Sequence, residues 1–435
     1  MTRKTLLKKI LRRDILHVLW GKLVVRPLRA TPIGRVWETR EIEQQDATYV
    51  GLERYYYGEH PARVRLDEDW KSRSSQLLRP TIRQGRPKRN NKDIRILMIH
   101  RVGALGVWYE SEVARSFDAV SFDLLRHHAA FLRGETDLVS ASLGVNPDAR
   151  SSVEMKLTEY AEWRKKLQSD IIAAVQRLHS SQPLDLCFVY GCYTEFDPKT
   201  LQAIRDMGIP VALMWLDEKH AYGERPLGIP NGQKPMIGAC DVHLTNTFSA
   251  TRWYMAEGAA AYYFPEAADP EIFKPTGQKK DIPVSFVGQR YGLRTKFVEW
   301  LREQRIPVQC FGPGWENGPV KDNAEIYARS LINLGIGYTG KSSRVTCLKG
   351  RDFEVPMAGA AYLTTYDYEL AWHFHIGKEV LCFLNEIDCV QQLRYYLQNP
   401  QEVERIGAAA RSRSLAEHTW TYRFEGLLRW LGILA

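Results

Sequence analysis

A repeated unit constrains this chain more than any other feature: a short apolar run, a turn, then a helix-compatible stretch. Apolar runs fall at residues 94–99, 184–190, 211–216, 242–245 and 261–264, and again at 284–288, 308–311, 330–336, 361–364 and 380–384. Short, nearly continuous runs of this kind suit strands buried on both faces. The helical stretches between them are long enough for the crossovers that parallel pairing requires. The pattern predicts parallel sheets with helices on both faces. Between the two sets, Pro270 and Pro275 stiffen the chain, and the polar stretch 276–281 reads as a hinge. The expected division is a first α/β domain over 94–275 and a second over 276–435, in keeping with roughly 100–200 residues per domain.

Charge separates a third region from these two. Residues 1–93 hold 22 Lys and Arg against 11 Asp and Glu, whereas the rest of the chain holds 38 against 40. The excess cation thus belongs to an N-terminal extension, which argues against a basic nucleic-acid groove across the body. Residues 1–30 carry nine Lys and Arg and one acid, Asp14, with Leu7, Ile10, Leu11, Ile15 and Val18 on one helical face. Two readings stay open: a helix lying on anionic lipid, or a helix packed on the body with a solvated basic face. No charge-free run approaches the ~18 residues of a spanning helix. Residues 86–92 read as a linker. The seven cysteines (Cys187, Cys192, Cys240, Cys310, Cys347, Cys382, Cys389) form no C-x-x-C pair and sit mostly in apolar runs. They are expected to be reduced core residues of a cytoplasmic protein.

In doubly wound sheets, ligands bind beyond the carboxyl ends of the strands, so the residues after each apolar run carry the candidate chemistry. Three such loops stand out in the second domain. Gly288-Gln-Arg-Tyr-Gly-Leu-Arg294 offers backbone amides with Arg290 and Arg294, a set suited to a diphosphate. Gly312-Pro-Gly-Trp315 offers a rigid turn and an aromatic plate for a base or sugar. The stretch from Lys349 to Thr365 gathers Lys349, Arg351 and Glu354 ahead of an apolar strand, giving cations for phosphate and a carboxylate for paired hydroxyls. A short helix is expected at 355–358, ended by Gly359. In the first domain, Asp217-Glu-Lys-His220 supplies the best candidates for a base, Asp217 and His220, with His100 and Glu110 as alternatives. No Asp-x-Asp pattern or ligand cluster in these candidate loops suggests a metal site, and no cofactor is expected.

The block Lys-Gly-Arg-Asp-Phe-Glu354, Gly359, the apolar strand, Glu369-Leu370 and Gly377-Lys-Glu379 resembles the C-terminal half of GT-B glycosyltransferases. It is most similar to the spore-maturation-protein-like bacterial group, as are Tyr395-Tyr-Leu397, His418-Thr-Trp420 and Arg423-Phe424. The resemblance is specific over 283–428 and looser from 94 to 275. It implies two Rossmann-like domains facing across a cleft, with the last helix crossing back to the first domain. It also implies a nucleotide-sugar donor in the second domain, with Gly288, Arg290, Arg294, Gly312, Trp315, Lys349, Arg351, Glu354 and Thr365 as the donor-binding set. In the wider retaining group, the carboxylate at the Glu354 position holds the ribose hydroxyls. Arg294 and Lys349 join Asp217 and His220 as catalytic candidates, and no metal is implied. The acceptor would be a glycan, a lipid-linked glycan or a protein, and residues 1–30 could hold the enzyme at the inner face of a membrane. One departure stands out: retaining relatives often carry a second Glu eight residues earlier, where this chain has Thr346. A different class of reading is a non-catalytic sugar-nucleotide-binding or membrane-surface scaffold on the same frame.

Overall fold

The computed structural model describes residues 46, 49–62, 64–83, 87–100, 109–144, 157–216, 218–219, 222–225, 229–230, 232–320, 322–339, 342 and 344–435. The basic helix with one apolar face expected at residues 1–30 lies outside them. Two parallel sheets carry the fold. The first holds β1 (Arg95–His100), β2 (Asp118–Asp123), β3 (Leu186–Tyr190), β4 (Val211–Trp215), β7 (Val242–Thr245) and β8 (Ala261–Tyr263), in the order β2-β1-β3-β4-β7-β8. A small antiparallel ribbon, β5 (Glu224–Arg225) with β6 (Ile229–Pro230), lies outside it. The second sheet holds β9 (Ile282–Val287), β10 (Val308–Phe311), β11 (Ser330–Leu334), β12 (Ala361–Thr365) and β13 (Leu381–Phe383), in the order β10-β9-β11-β12-β13.

Both sheets start in the middle, step outward once, then reverse. The reversal falls between β1 and β3 in the first sheet and between β9 and β11 in the second. At such a switch point the loops after adjacent strands diverge and leave a crevice at the carboxyl edge. The strands are buried on both sides, as their unbroken apolar sequences require; Ile96, Leu97, Met98, Val284 and Phe286 are fully enclosed. The β2 strand is absent from the sequence expectation. It is a partly exposed edge strand whose residues, Asp-Ala-Val-Ser-Phe-Asp, form no continuous apolar run.

The C-terminal helix Trp420–Leu431 packs on the first sheet. Phe424 lies 5.0 Å from Phe188, and Trp420 lies edge-on to Tyr109 at 5.4 Å, ring centre to ring centre. Its first turn is capped from the first domain, because Glu112 accepts the Trp420 and Thr421 amides at 3.1 and 2.8 Å. This satisfies amide groups that a helix start otherwise leaves open.

The extension also differs from its expected form. From Tyr49 onward it is built into the first domain. Tyr56 donates to Glu257 at 2.5 Å and stacks on Trp253, and Trp70, Leu78 and Ile82 are buried. Ser74 bridges the edge strand, accepting the Ala261 amide at 2.8 Å and donating to the Ala261 carbonyl at 2.6 Å. The described part of the expected linker, 87–92, is not loose either, since the Lys88 amide bonds the Ile433 carbonyl at 2.8 Å and its amine bonds Asp185 at 2.6 Å. Tyr56, Trp70, Ser74 and Ile82 sit in helical segments of one or two turns, too short to show periodicity in the sequence. No helix among the described residues is long and apolar enough to cross a membrane.

Candidate functional site

The carboxyl edge of the second sheet is shaped by two glycine turns locked together. Gly288, directly after β9, donates its amide to the Phe311 carbonyl at 2.8 Å. Gly312, directly after β10, has φ 122°, and a Cβ there would overlap the Gly288 carbonyl oxygen. A Cβ on Gly288 would stand 2.8 Å from the Arg351 guanidinium, so only glycine lets that cation reach the strand end. Arg351 donates to the Val287 carbonyl at 2.8 Å and lies 5.3 Å from the centre of the Phe286 ring.

The helix bearing Arg351 spans Arg351–Met357, beginning four residues before the expected 355–358, and Gly359 at φ 69° ends it. Glu354 sits on its inner side at 8% exposure. The Tyr327 hydroxyl donates to Glu354 Oε2 at 3.0 Å, and Tyr327 is held in turn by Asn333, which donates to its carbonyl at 3.2 Å. Burial pushes the Glu354 carboxyl up to about 7, against the opposing pull of the Tyr327 hydroxyl and the Arg351 charge. Neither residue takes the other as its hydrogen-bond partner here: Arg351 spends a donor on the β9 carbonyl and Glu354 accepts from Tyr327. Asp352 faces the other way, accepting the Tyr362 hydroxyl and the Lys349 amide, both at 2.6 Å, and burial raises its carboxyl above the usual range. Lys349 therefore stands at the helix entrance with its backbone fixed. Thr365, at the end of β12, accepts the Gly337 amide at 3.2 Å and ties the loop after β11 to the same edge.

Not every expected residue is presented to a ligand. Trp315 is 6% exposed and packs edge-on against Phe286 inside the second core, so it is not an open plate. The Arg290 guanidinium covers it at 5.1 Å and reaches Glu299 at 3.3 Å. A large ring beside an apolar strand gains more from burial than from exposure. Arg294 opens the Arg294–Glu303 helix and is 5% exposed. It bonds the Gln289 carbonyl at 3.1 Å and lies over the Tyr291 ring at 4.2 Å, which makes it a brace for the glycine turn. Asp217 and His220 lie outside the described residues. His100 and Glu110 are described: His100 Nε2 stands 3.6 Å from Glu110 Oε1, and the Tyr109 hydroxyl meets His100 Nδ1 at 2.8 Å, all enclosed at the end of β1. Among the described residues, no group of three His, Cys, Asp or Glu could hold a metal ion.

The domains meet through residues that sequence reasoning passed over. Lys219 of the first domain, 4% exposed, donates to the Thr346 carbonyl at 2.9 Å and stands 3.6 Å from Glu369. Burial opposes its charge, but Glu369, Cys347 and Asp367 outweigh that and hold the ammonium above its usual range. Thr346 donates to Asp367 at 2.7 Å, and Glu369 accepts the Phe248 amide at 3.1 Å. Asn246 donates to the Leu348 carbonyl at 3.3 Å. The loop entering the Arg351 helix is thus gripped from the first domain. The only sequence trace of Lys219 is its place beside the proposed base candidates. A separate cleft lined by Pro275, Lys280, Leu331, Val403 and Arg411 lies at the amino edge of the second sheet, away from these loops.

Two parallel doubly wound sheets whose carboxyl-end loops meet, with a helix returning to the first, define the GT-B architecture. Residues 294–429 match the glycosyl transferase-like family. Together these support a GT-B glycosyltransferase; neither finding singles out the spore-maturation-protein-like group. Among solved structures, the chain is similar to sucrose-phosphate synthase from Thermosynechococcus elongatus, at 10% identity and a TM-score of 0.51, over 78% of this chain and 99% of that one. It is also similar to Anabaena Alr3699/HepE in complex with UDP-glucose, at 12% identity and a TM-score of 0.48, over 78% and 100%. A UDP-N-acetylglucosamine 2-epimerase follows at 14% identity and a TM-score of 0.41, over 78% and 97%. Identities this low speak for fold alone. No curated protein matches the chain in sequence.

Proposed function

We propose that the protein transfers a sugar from a nucleotide-sugar donor held at the carboxyl edge of the second sheet. The observation that carries this is the pairing of opposite chemistries on one helix. Arg351 lies against the Gly288 turn, and three residues on Glu354 is buried with one oxygen on Tyr327. Ribose hydroxyls need an acceptor such as Glu354; a diphosphate needs fixed positive charge, which Arg351, Lys349 and Arg290 supply beside the Gly288 turn. Cleavage of the glycosidic bond leaves growing negative charge on the diphosphate, and cations fixed there stabilise the transition state more than the ground state. Arg294 holds the turn in shape. Thr365 and Gly312 shape the floor of the same edge.

The acceptor, a glycan, a lipid-linked glycan or a protein, would enter from the first domain. Its base candidates are Asp217 and His220, with His100 and Glu110 at the end of β1 as the alternative. The enzyme would work in the cytoplasm without a metal, with residues 1–30 drawing it to an anionic membrane surface. The test is a panel of nucleotide-sugars assayed by diphosphate release. Turnover by the wild-type chain, lost in Arg351→Ala and Glu354→Ala with folding retained, is the expected result. Binding without release across the panel would favour the scaffold reading instead.

A further inference from the structure

Just beyond the proposed donor edge, the second domain displays apolar side chains where nothing in the fold requires them. Tyr366 follows β12 and Leu384 follows β13. These strands pair at Thr365 and Phe383, and the Tyr366 amide bonds the Phe383 carbonyl at 2.9 Å. The two side chains therefore emerge from neighbouring strand ends. Tyr366, Tyr368 and Trp372 are 43, 41 and 53% exposed, and Leu384 and Ile387 are 74 and 66% exposed.

This surface is built rather than frayed. The acids between the rings point inward and pin the turn: Asp367 accepts the Glu369 amide at 2.8 Å, and Tyr368 donates to Glu369 at 3.1 Å. Trp372 stands edge-on to Phe248 of the first domain at 4.9 Å and to Tyr368 at 5.4 Å. Rings with polar tips beside bare aliphatic side chains are what a water–lipid boundary selects. Exposed apolar groups gathered on one face mark an interaction site more often than scattered ones do.

The patch brings no attraction of its own for anionic lipid, since Glu386 and Asp388 flank Ile387. The cation comes from elsewhere. Residues 1–30 hold nine Lys and Arg against one acid. The chain from that segment reaches the described fold at Asp46 and Tyr49. There it stands beside the patch: Lys219 lies 6.0 Å from the Tyr49 ring and 5.8 Å from the Tyr368 ring. Val50 and Tyr57 on the same segment are themselves 52 and 71% exposed. A single weak signal gives marginal membrane binding, whereas an apolar contact combined with a basic segment gives stable binding.

We infer that Tyr366, Tyr368, Trp372, Leu384 and Ile387 form a second membrane-docking surface that inserts into an anionic bilayer while residues 1–30 supply the charge. This rests on the proposed lipid role of the basic segment but is separable from it. It would hold the carboxyl edge of the second domain against the lipid surface.

The test uses the full chain sedimented with vesicles of phosphatidylcholine and phosphatidylglycerol, and with phosphatidylcholine alone. The triple variant Trp372→Ala/Leu384→Ser/Ile387→Ser removes apolar surface without changing charge. Its partition into the mixed vesicles should fall at least about tenfold at fixed salt, while nucleotide binding stays unchanged. Leu384→Ser/Ile387→Ser alone, which touches no interdomain ring, should give a smaller loss in the same direction. If the triple variant pellets like the wild type while deletion of residues 1–45 abolishes pelleting, the basic segment acts alone and the proposal is overturned. It is equally overturned if deleting 1–45 creates pelleting with phosphatidylcholine alone, because the segment then covers the patch. A change in self-association with no change in vesicle partition would make the patch a protein interface and also overturn it.

Discussion

The buried carboxyl of Glu354 should make donor binding depend on pH in a way that no surface carboxylate could. Burial raises it from 4.5 to about 7, which corresponds to about 3 kcal/mol against the charged form. Ribose hydroxyls are donors to this site, so the ionised form is the competent one. At pH 6 about a tenth of the protein would hold it ionised, and at pH 8 about nine tenths. Apparent affinity scales with the competent fraction, so Kd for a nucleotide-sugar should tighten about tenfold across that interval. The diphosphate of a nucleotide-sugar does not titrate there, which leaves the protein as the source. Calorimetric titration without acceptor, in buffers of different ionisation enthalpy, reads both the affinity and the proton released. Glu354→Gln should bind weakly with no slope, and Tyr327→Phe, which loses the 3.0 Å hydrogen bond that favours the charged form, should move the midpoint upward. The sign for stability follows from the same shift. Between 4.5 and about 7 the folded chain holds a proton at this site that the unfolded chain has lost, so the contribution is full below 4.5 and disappears as pH rises through 7. Equal slopes in the wild type and Glu354→Gln would refute the reasoning.

Three further outcomes test other parts of the site. Gly312→Ala should cost at least about 2 kcal/mol, because it places a Cβ on the Gly288 carbonyl at φ 122°; denaturant unfolding that shows no loss would mean the two turns are not locked. Lys219→Met should destabilise by about 3–5 kcal/mol by leaving Glu369 buried without its cation. Adding Glu369→Gln should recover part of that, whereas strictly additive losses in the double-mutant cycle would deny the coupling. Diphosphate release should persist in EDTA if cations of the chain carry the leaving-group charge; activity that vanishes and returns only with added manganese or magnesium would end that assignment.

The sequence by itself determined the two parallel sheets and the edge on which the chemistry sits. Strand runs such as 284–288 and 361–364 are continuous in the chain, and their burial follows from local composition alone. The glycines at 288, 312 and 359 announced their turns because a positive or extreme φ excludes other residues locally. What only the tertiary structure decided are the partners brought together across distance. Tyr327 meets Glu354 from 27 residues away, and Lys219 meets Thr346 from 127. Neither contact leaves a mark in the spacing of neighbours. The same holds for residues whose type permits two fates. Trp315 reads equally as a plate or a core ring until Phe286 and Arg290 are seen to enclose it. The segment from Tyr49 to Ile82 reads as extension because its anchors, Tyr56, Trp70, Leu78 and Ile82, are separated by charged residues. Their burial depends on surfaces the first domain presents only once its own strands have assembled. Local pattern fixes which residues turn inward along an element, but the pairing of one element with another is set by the shapes both acquire on folding.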